Sequence, residues 1–96
     1  EIFSSSELDQ KARRLSVVQP RLTSTLLRQT PATVVVIFIV DENGRVQDPK
    51  VQRTTNPSFD RSALAAIKQW KFEPAKVQGR AVSSRLRQSF SFENNT

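Results

Sequence analysis

The chain has 96 residues, 36% of them apolar and 25% charged, with a net charge of +6. That length holds one hydrophobic core and no second. Cysteine, histidine and tyrosine are absent, which removes disulfides, thiolate metal sites, the commonest general base and most transition-metal ligands.

Residues 1–19 are rich in Ser, Gln and charge with scattered apolar residues, and read as an N-terminal arm lying outside the core. They lack the basic-then-apolar order of a signal peptide, and nowhere does the chain reach the ~18 consecutive apolar residues of a membrane span. Pro20 to Gln29 carries Leu22, Leu26 and Leu27 on one face of a short helix that Pro31 stops. Thr33 to Val40 is a β-branched and aromatic run, apolar on both alternate sets of positions, and is expected as a central strand covered on both faces. Asp41-Glu42-Asn43-Gly44-Arg45 supplies the positive-φ residues of a tight hairpin turn, so the next strand, Val46 to Thr55, returns antiparallel. Its Pro49 cannot donate a ladder hydrogen bond, which makes it an edge strand or the site of a bulge.

Asn56-Pro57-Ser58 starts a second helix, with Asn56 or Ser58 as cap. Phe59, Ala63, Ile67 and Trp70 recur at helical spacing and form its buried stripe, and Phe72-Glu73-Pro74 ends it. Val82, Ser84, Leu86, Gln88, Phe90 and Phe92 alternate with Ser83, Arg85, Arg87, Ser89 and Ser91, the pattern of a half-buried strand. The fold class is therefore α+β: a three-stranded antiparallel sheet of order 2-1-3, with two helices packed on one face. Residues 1–19 are the arm or the end of a spacer, and residues 20–96 the domain.

The acidic residues do not cluster. Asp41 and Glu42 sit at a hairpin, Asp60 in a first helical turn, and Glu73 before a proline. Gly44 and Gly79 stand alone rather than in a phosphate-binding loop, and the hairpin lacks the spaced ligands of a calcium loop. No enzyme, cofactor or metal site is expected.

The order of features from Thr33 onward resembles the TonB C-terminal domain family. The carriers are the apolar strand running into Val40-Asp41-Glu42-Asn43-Gly44-Arg45-Val46, then Asn56-Pro57-Ser58-Phe59-Asp60. The helix ending in Trp70-Lys71-Phe72-Glu73-Pro74 follows, then Gly79-Arg80-Ala81-Val82 and Phe90-Ser91-Phe92. The resemblance implies a periplasmic domain, tethered to the inner membrane through a spacer and one membrane helix that this chain does not include. It also implies work drawn from the proton-motive force through inner-membrane motor proteins. The partner it implies is an extended N-terminal segment of an outer-membrane transporter, added as a strand to the sheet edge.

On this chain the docking edge is the last strand: Val82, Ser83, Ser84, Arg85, Leu86, Arg87, Gln88, Ser89 and Phe90, with Arg85 and Arg87 on its solvent face. Those two arginines also suit an edge guarded against aggregation. Pro20 and Arg21 stand for the family's contact region before the sheet, although the chain reads Pro20-Arg21-Leu22-Thr23 where the family often has Pro-x-Tyr-Pro. It also has Thr30-Pro31-Ala32 in place of the family's glycine before the first strand. Two other readings follow from the residues. Val35, Ile37 and Ile39 form a second apolar face that the arm or a second copy can cover, which suggests a homodimer or scaffold. The basic charge suggests nucleic acid, but Phe90 and Phe92 share a face with Val82 and Leu86 and should point to the core, so no nucleic acid is expected.

Overall fold

The structure is a computed structural model that describes residues 2–94. Chain order is β1 (Ile2–Phe3), β2 (Arg13–Ser16), α1 (Ser24–Leu27), β3 (Ala32–Val40), β4 (Val46–Thr54), α2 (Asp60–Ile67), β5 (Lys71–Glu73), β6 (Ala75–Val77) and β7 (Arg80–Phe92). The apolar run of β3 takes the centre, antiparallel to β4 on one side and to β7 on the other. One alternate set of its residues, Val34, Val36, Phe38 and Val40, is 0–3% exposed. These pack with Phe59 and with Ala63 and Ile67 of α2. α1 is a single turn capped by the Thr23 hydroxyl, which accepts from the Leu26 N–H; its Leu26 packs against the same core. Both helices therefore lie on one face of the sheet.

The β3–β4 hairpin closes through Asp41. Its backbone N–H donates to the Arg45 carbonyl, and its carboxylate accepts from the N–H groups of Asn43 and Arg45 and from Gln47 Nε2, each at 2.9 Å. Burial alone would raise the Asp41 pKa. The Gln47, Arg45 and Asn43 hydrogen bonds and the Arg45 charge outweigh it, and the pKa falls below the ordinary carboxylate value. Gly44 adopts φ +80°, and a Cβ there would collide with the Phe72 carbonyl oxygen. Only glycine permits this approach, which lets the Phe72 N–H donate to the Gly44 carbonyl at 2.9 Å.

The three-stranded antiparallel sheet is present as the centre, β4-β3-β7, but the sheet is wider than that. It has five strands in the order β1-β7-β3-β4 with β6 also on β7, and a separate two-stranded sheet joins β2 to β5. β1 runs parallel to β7, so the sheet is not wholly antiparallel. Two causes account for the difference. The arm is drawn into backbone pairing: β2 lies along β5, and residues 9 and 10 exchange hydrogen bonds with Lys76. The second helix also ends earlier than its stripe suggests. Gln69 and Trp70 donate to carbonyls three residues back, a tightening common in last turns, and Lys71–Glu73 then extends as a strand rather than ending a helix.

Trp70 nonetheless stays in the core at 5% exposure. It meets Phe90 edge-on at 5.7 Å, and its indole N–H donates to the Val18 carbonyl at 2.9 Å, holding the arm down. Glu73 holds it at a second point, accepting from Gln10 Nε2 at 2.7 Å and pairing with Arg13 at 3.4 Å.

Candidate functional site

β7 is the longest strand, 13 residues, or about 43 Å at ~3.3 Å per residue. Its pairing to β3 is unbroken from Val40↔Ser84 to Ala32↔Phe92. That register puts Leu86, Gln88 and Phe90 on the core face with Phe38, Val36 and Val34, and Arg85, Arg87 and Ser89 on the opposite face with Ile39, Ile37 and Val35. The two arginines thus lie on the face away from the helices, and both are exposed.

The residues expected to dock a partner fall into three groups. Val82 is engaged with Ala75 of β6. Ser83 and Ser84 carry Ile2 and Phe3 in parallel pairing on the edge away from β3. From Arg85 to Phe90, and on to Phe92, that edge bears no strand among the described residues. A row of backbone donors and acceptors is thereby left without a strand partner, the arrangement that invites an added strand.

A cleft of about 450 Å³ runs beside the open part of the edge, lined by residues 88–93 on one wall and by Val17, Gln19, Pro20 and Leu22 on the other. Trp70 and Arg14 complete it; the Arg14 guanidinium lies 6.0 Å from the Trp70 ring centroid, within cation–π range. A second cleft, lined by Ala12, Arg13, Arg14, Leu86, Arg87 and Gln88 among others, continues along the strand. Pro20 therefore stands beside the edge, whereas Arg21 borders a depression against Arg61 and Ala65 of α2. Sequence reasoning missed Arg14, Val17, Leu22 and the Ile2–Phe3 strand. The isolated Ile2-Phe3 pair in a polar arm was the available signal.

Phe90 and Phe92 are 8% and 4% exposed and offer no stacking platform. Among the described residues no three acidic side chains gather where a metal could bind, and no helix is long and apolar enough to cross a membrane.

The chain is similar to known proteins on three counts. Residues 26–93 match the family model for the Gram-negative bacterial TonB protein C-terminal. Two proteins named TonB, from two strains of Xanthomonas campestris pv. campestris, are each 35% identical over 63 residues. That alignment covers 65% of this chain but only 28% of theirs. The solution NMR structure of the Pseudomonas aeruginosa TonB C-terminal domain superposes with a TM-score of 0.76 over all of this chain and 97% of that one, at 23% identity, a likeness of fold. With the family model spanning most of its length, the chain belongs to the TonB C-terminal family.

Proposed function

We propose that this chain is the periplasmic docking domain of a TonB-like energy transducer. In this reading it takes up an extended N-terminal segment of an outer-membrane transporter as an added strand on β7, between Arg85 and Phe92, and passes on work derived from the proton-motive force. The observation that carries the reading is the state of that edge. It already accepts one strand, the chain's own Ile2–Phe3, and beyond Ser84 it bears none among the described residues. Main-chain hydrogen bonds would supply affinity and alternate side chains would set register. One set of incoming side chains would flank Arg85 and Arg87, favouring acidic residues there. The other set would enter the cleft of Pro20, Leu22, Trp70 and Phe90. Family membership supports the periplasmic setting and the transporter as partner.

Titration of the ¹⁵N-labelled domain with such a segment is expected to move the amides of residues 85–92 most. Removing residues 1–4 is expected to extend the shifts to Ser83 and Ser84. Largest shifts on β4 or the helices would overturn the assignment. A nucleic-acid role has only the net charge behind it, and binding that persists at about 0.15 M salt is not expected.

A further inference from the structure

The face of the sheet opposite the helices has a composition that strand addition at the β7 edge does not explain. Register places Val35, Ile37 and Ile39 in a line along β3, with Arg53, Lys50 and Gln47 of β4 on one side and Ser89, Arg87 and Arg85 of β7 on the other. Val35 is buried at 6% exposure, whereas Ile37 and Ile39 are only partly buried. They lie in a groove of about 710 Å³ walled by Arg85 and Arg87 on one side and by Asp48, Lys50 and Gln52 on the other, with Ile2 bordering it too. Arg53, Lys50, Arg85 and Arg87 are all exposed, and among the described residues none of the four forms an ion pair. Only Asp48 brings a negative charge to the groove wall.

We propose that this groove is a second docking surface, on the sheet face rather than along the β7 edge but sharing Arg85 and Arg87 with it, for an acidic amphipathic helix of a partner protein. A half-buried apolar line on an uncovered sheet face is completed by a helix in ordinary two-layer packing. The dimensions agree. Ile37 to Ile39, the part of the line that borders the groove, spans about 7 Å at ~3.3 Å per residue, a little more than one helical turn of ~5.4 Å. Lys50 and Arg87 sit one strand to either side of Ile37, hence about 10 Å apart at ~4.8 Å per strand. That separation matches the ~10 Å diameter of a helix. A helix with an apolar stripe along Ile37 and Ile39 would set glutamates on both flanks against the cations, as electrostatic complementarity requires. A second copy docked face to face would bring like charges together. A flat anionic membrane would not fill a concave floor, and it would meet Asp48 on the wall.

The test uses the 96-residue chain, ¹⁵N-labelled, and a synthetic helical peptide of about twelve residues with an Ile/Leu stripe flanked by Glu. A charge-reversed peptide carrying Lys in place of Glu serves as control. Saturable shifts are expected at Ile37, Ile39, Lys50 and Arg87, with none from the control. The double variant Lys50→Glu/Arg53→Glu lies on β4, away from the β7 edge, at exposed positions that the fold tolerates. It is expected to weaken peptide binding about tenfold or more while leaving strand addition on β7 intact. The proposal fails if the control binds equally well, if shifts fall on residues 85–92 without Ile37 and Lys50, or if the double variant binds unchanged. It also fails if the domain dimerises through this face, or if it binds anionic phosphatidylglycerol vesicles in preference to the peptide.

Discussion

β4 and β7 flank the same central strand, yet their outer edges differ in construction. The β3–β4 ladder shifts register twice, between Val35 and Val36 and between Ile37 and Ile39. It also contains Pro49 and, beside it, Asp48 at φ 54°. Bulges, proline and charge are the devices that keep a further strand from pairing. The β3–β7 ladder has neither bulge nor proline over nine consecutive pairs, and its charges, Arg85 and Arg87, lie on one face. Behind it stand Trp70, Phe90 and Phe92, whereas the residues of β4 on the core face, Val46 and Val51, are half-buried. One sheet thus has an edge built to refuse a partner and an edge built straight, long and firmly backed. A regular edge with rigid support is what the proposed strand addition would require.

The largest expected effect tests the backing. Trp70→Ala should cost about 3–5 kcal/mol, and Val51→Ala on β4 about 1 kcal/mol, read as urea midpoints. Equal losses would break the contrast between the two edges. Next, Pro49→Val should change stability by less than about 1 kcal/mol but open β4 to self-pairing, seen as concentration-dependent mass in sedimentation. A variant that stays monomeric would locate the guard in the bulges and Asp48 instead.

The smallest effect concerns the turn that delivers the chain into β4. The folded Asp41 pKa is lowered, so its stabilisation is fully present above the unfolded value of about 3.9 and is lost as pH falls through the folded value. Asp41→Asn should therefore lower the melting temperature at pH 7. The gap from the parent should close as the medium is made acidic, and a gap independent of pH would assign the loss to turn geometry rather than charge.

The centre of this fold was legible because its signals are local and strong. The β-branched run of β3, the Asn-Gly turn, the proline in β4 and the alternation of β7 each specify an element by backbone chemistry. What escaped was set by contacts between distant residues. Lys71–Glu73 reads as a helix end, and becomes a strand because Phe72 finds the Gly44 carbonyl and β2 finds β5. The arm reads as a polar segment outside the core, with no element assigned to it, yet Trp70 and Glu73 tether it from more than fifty residues away. Strand order places the last strand on the free side of β3, and the alternation of Arg85 and Arg87 sets the face they occupy. The cleft beside it depends on where Val17–Leu22 comes to rest, and no periodicity in that segment encodes it.

The arm's several attachments have a mechanical consequence. A pull on the N-terminal end of the chain would meet them in series. First comes the two-residue pairing of β1, then the contacts of residues 9 and 10 with Lys76, then the four-residue β2 and the Trp70–Val18 bond. Each can yield separately and at low force. Only after these, and the single turn of α1, would the load reach β3 at Ala32. There the ladders to β4 and β7 lie on both sides, and a pull directed along the strand would strain them together rather than one bond at a time. The arm would act as a run of weak links ahead of a strong anchorage, so a domain under tension would lengthen by its arm while the sheet that carries the proposed docking edge stays whole.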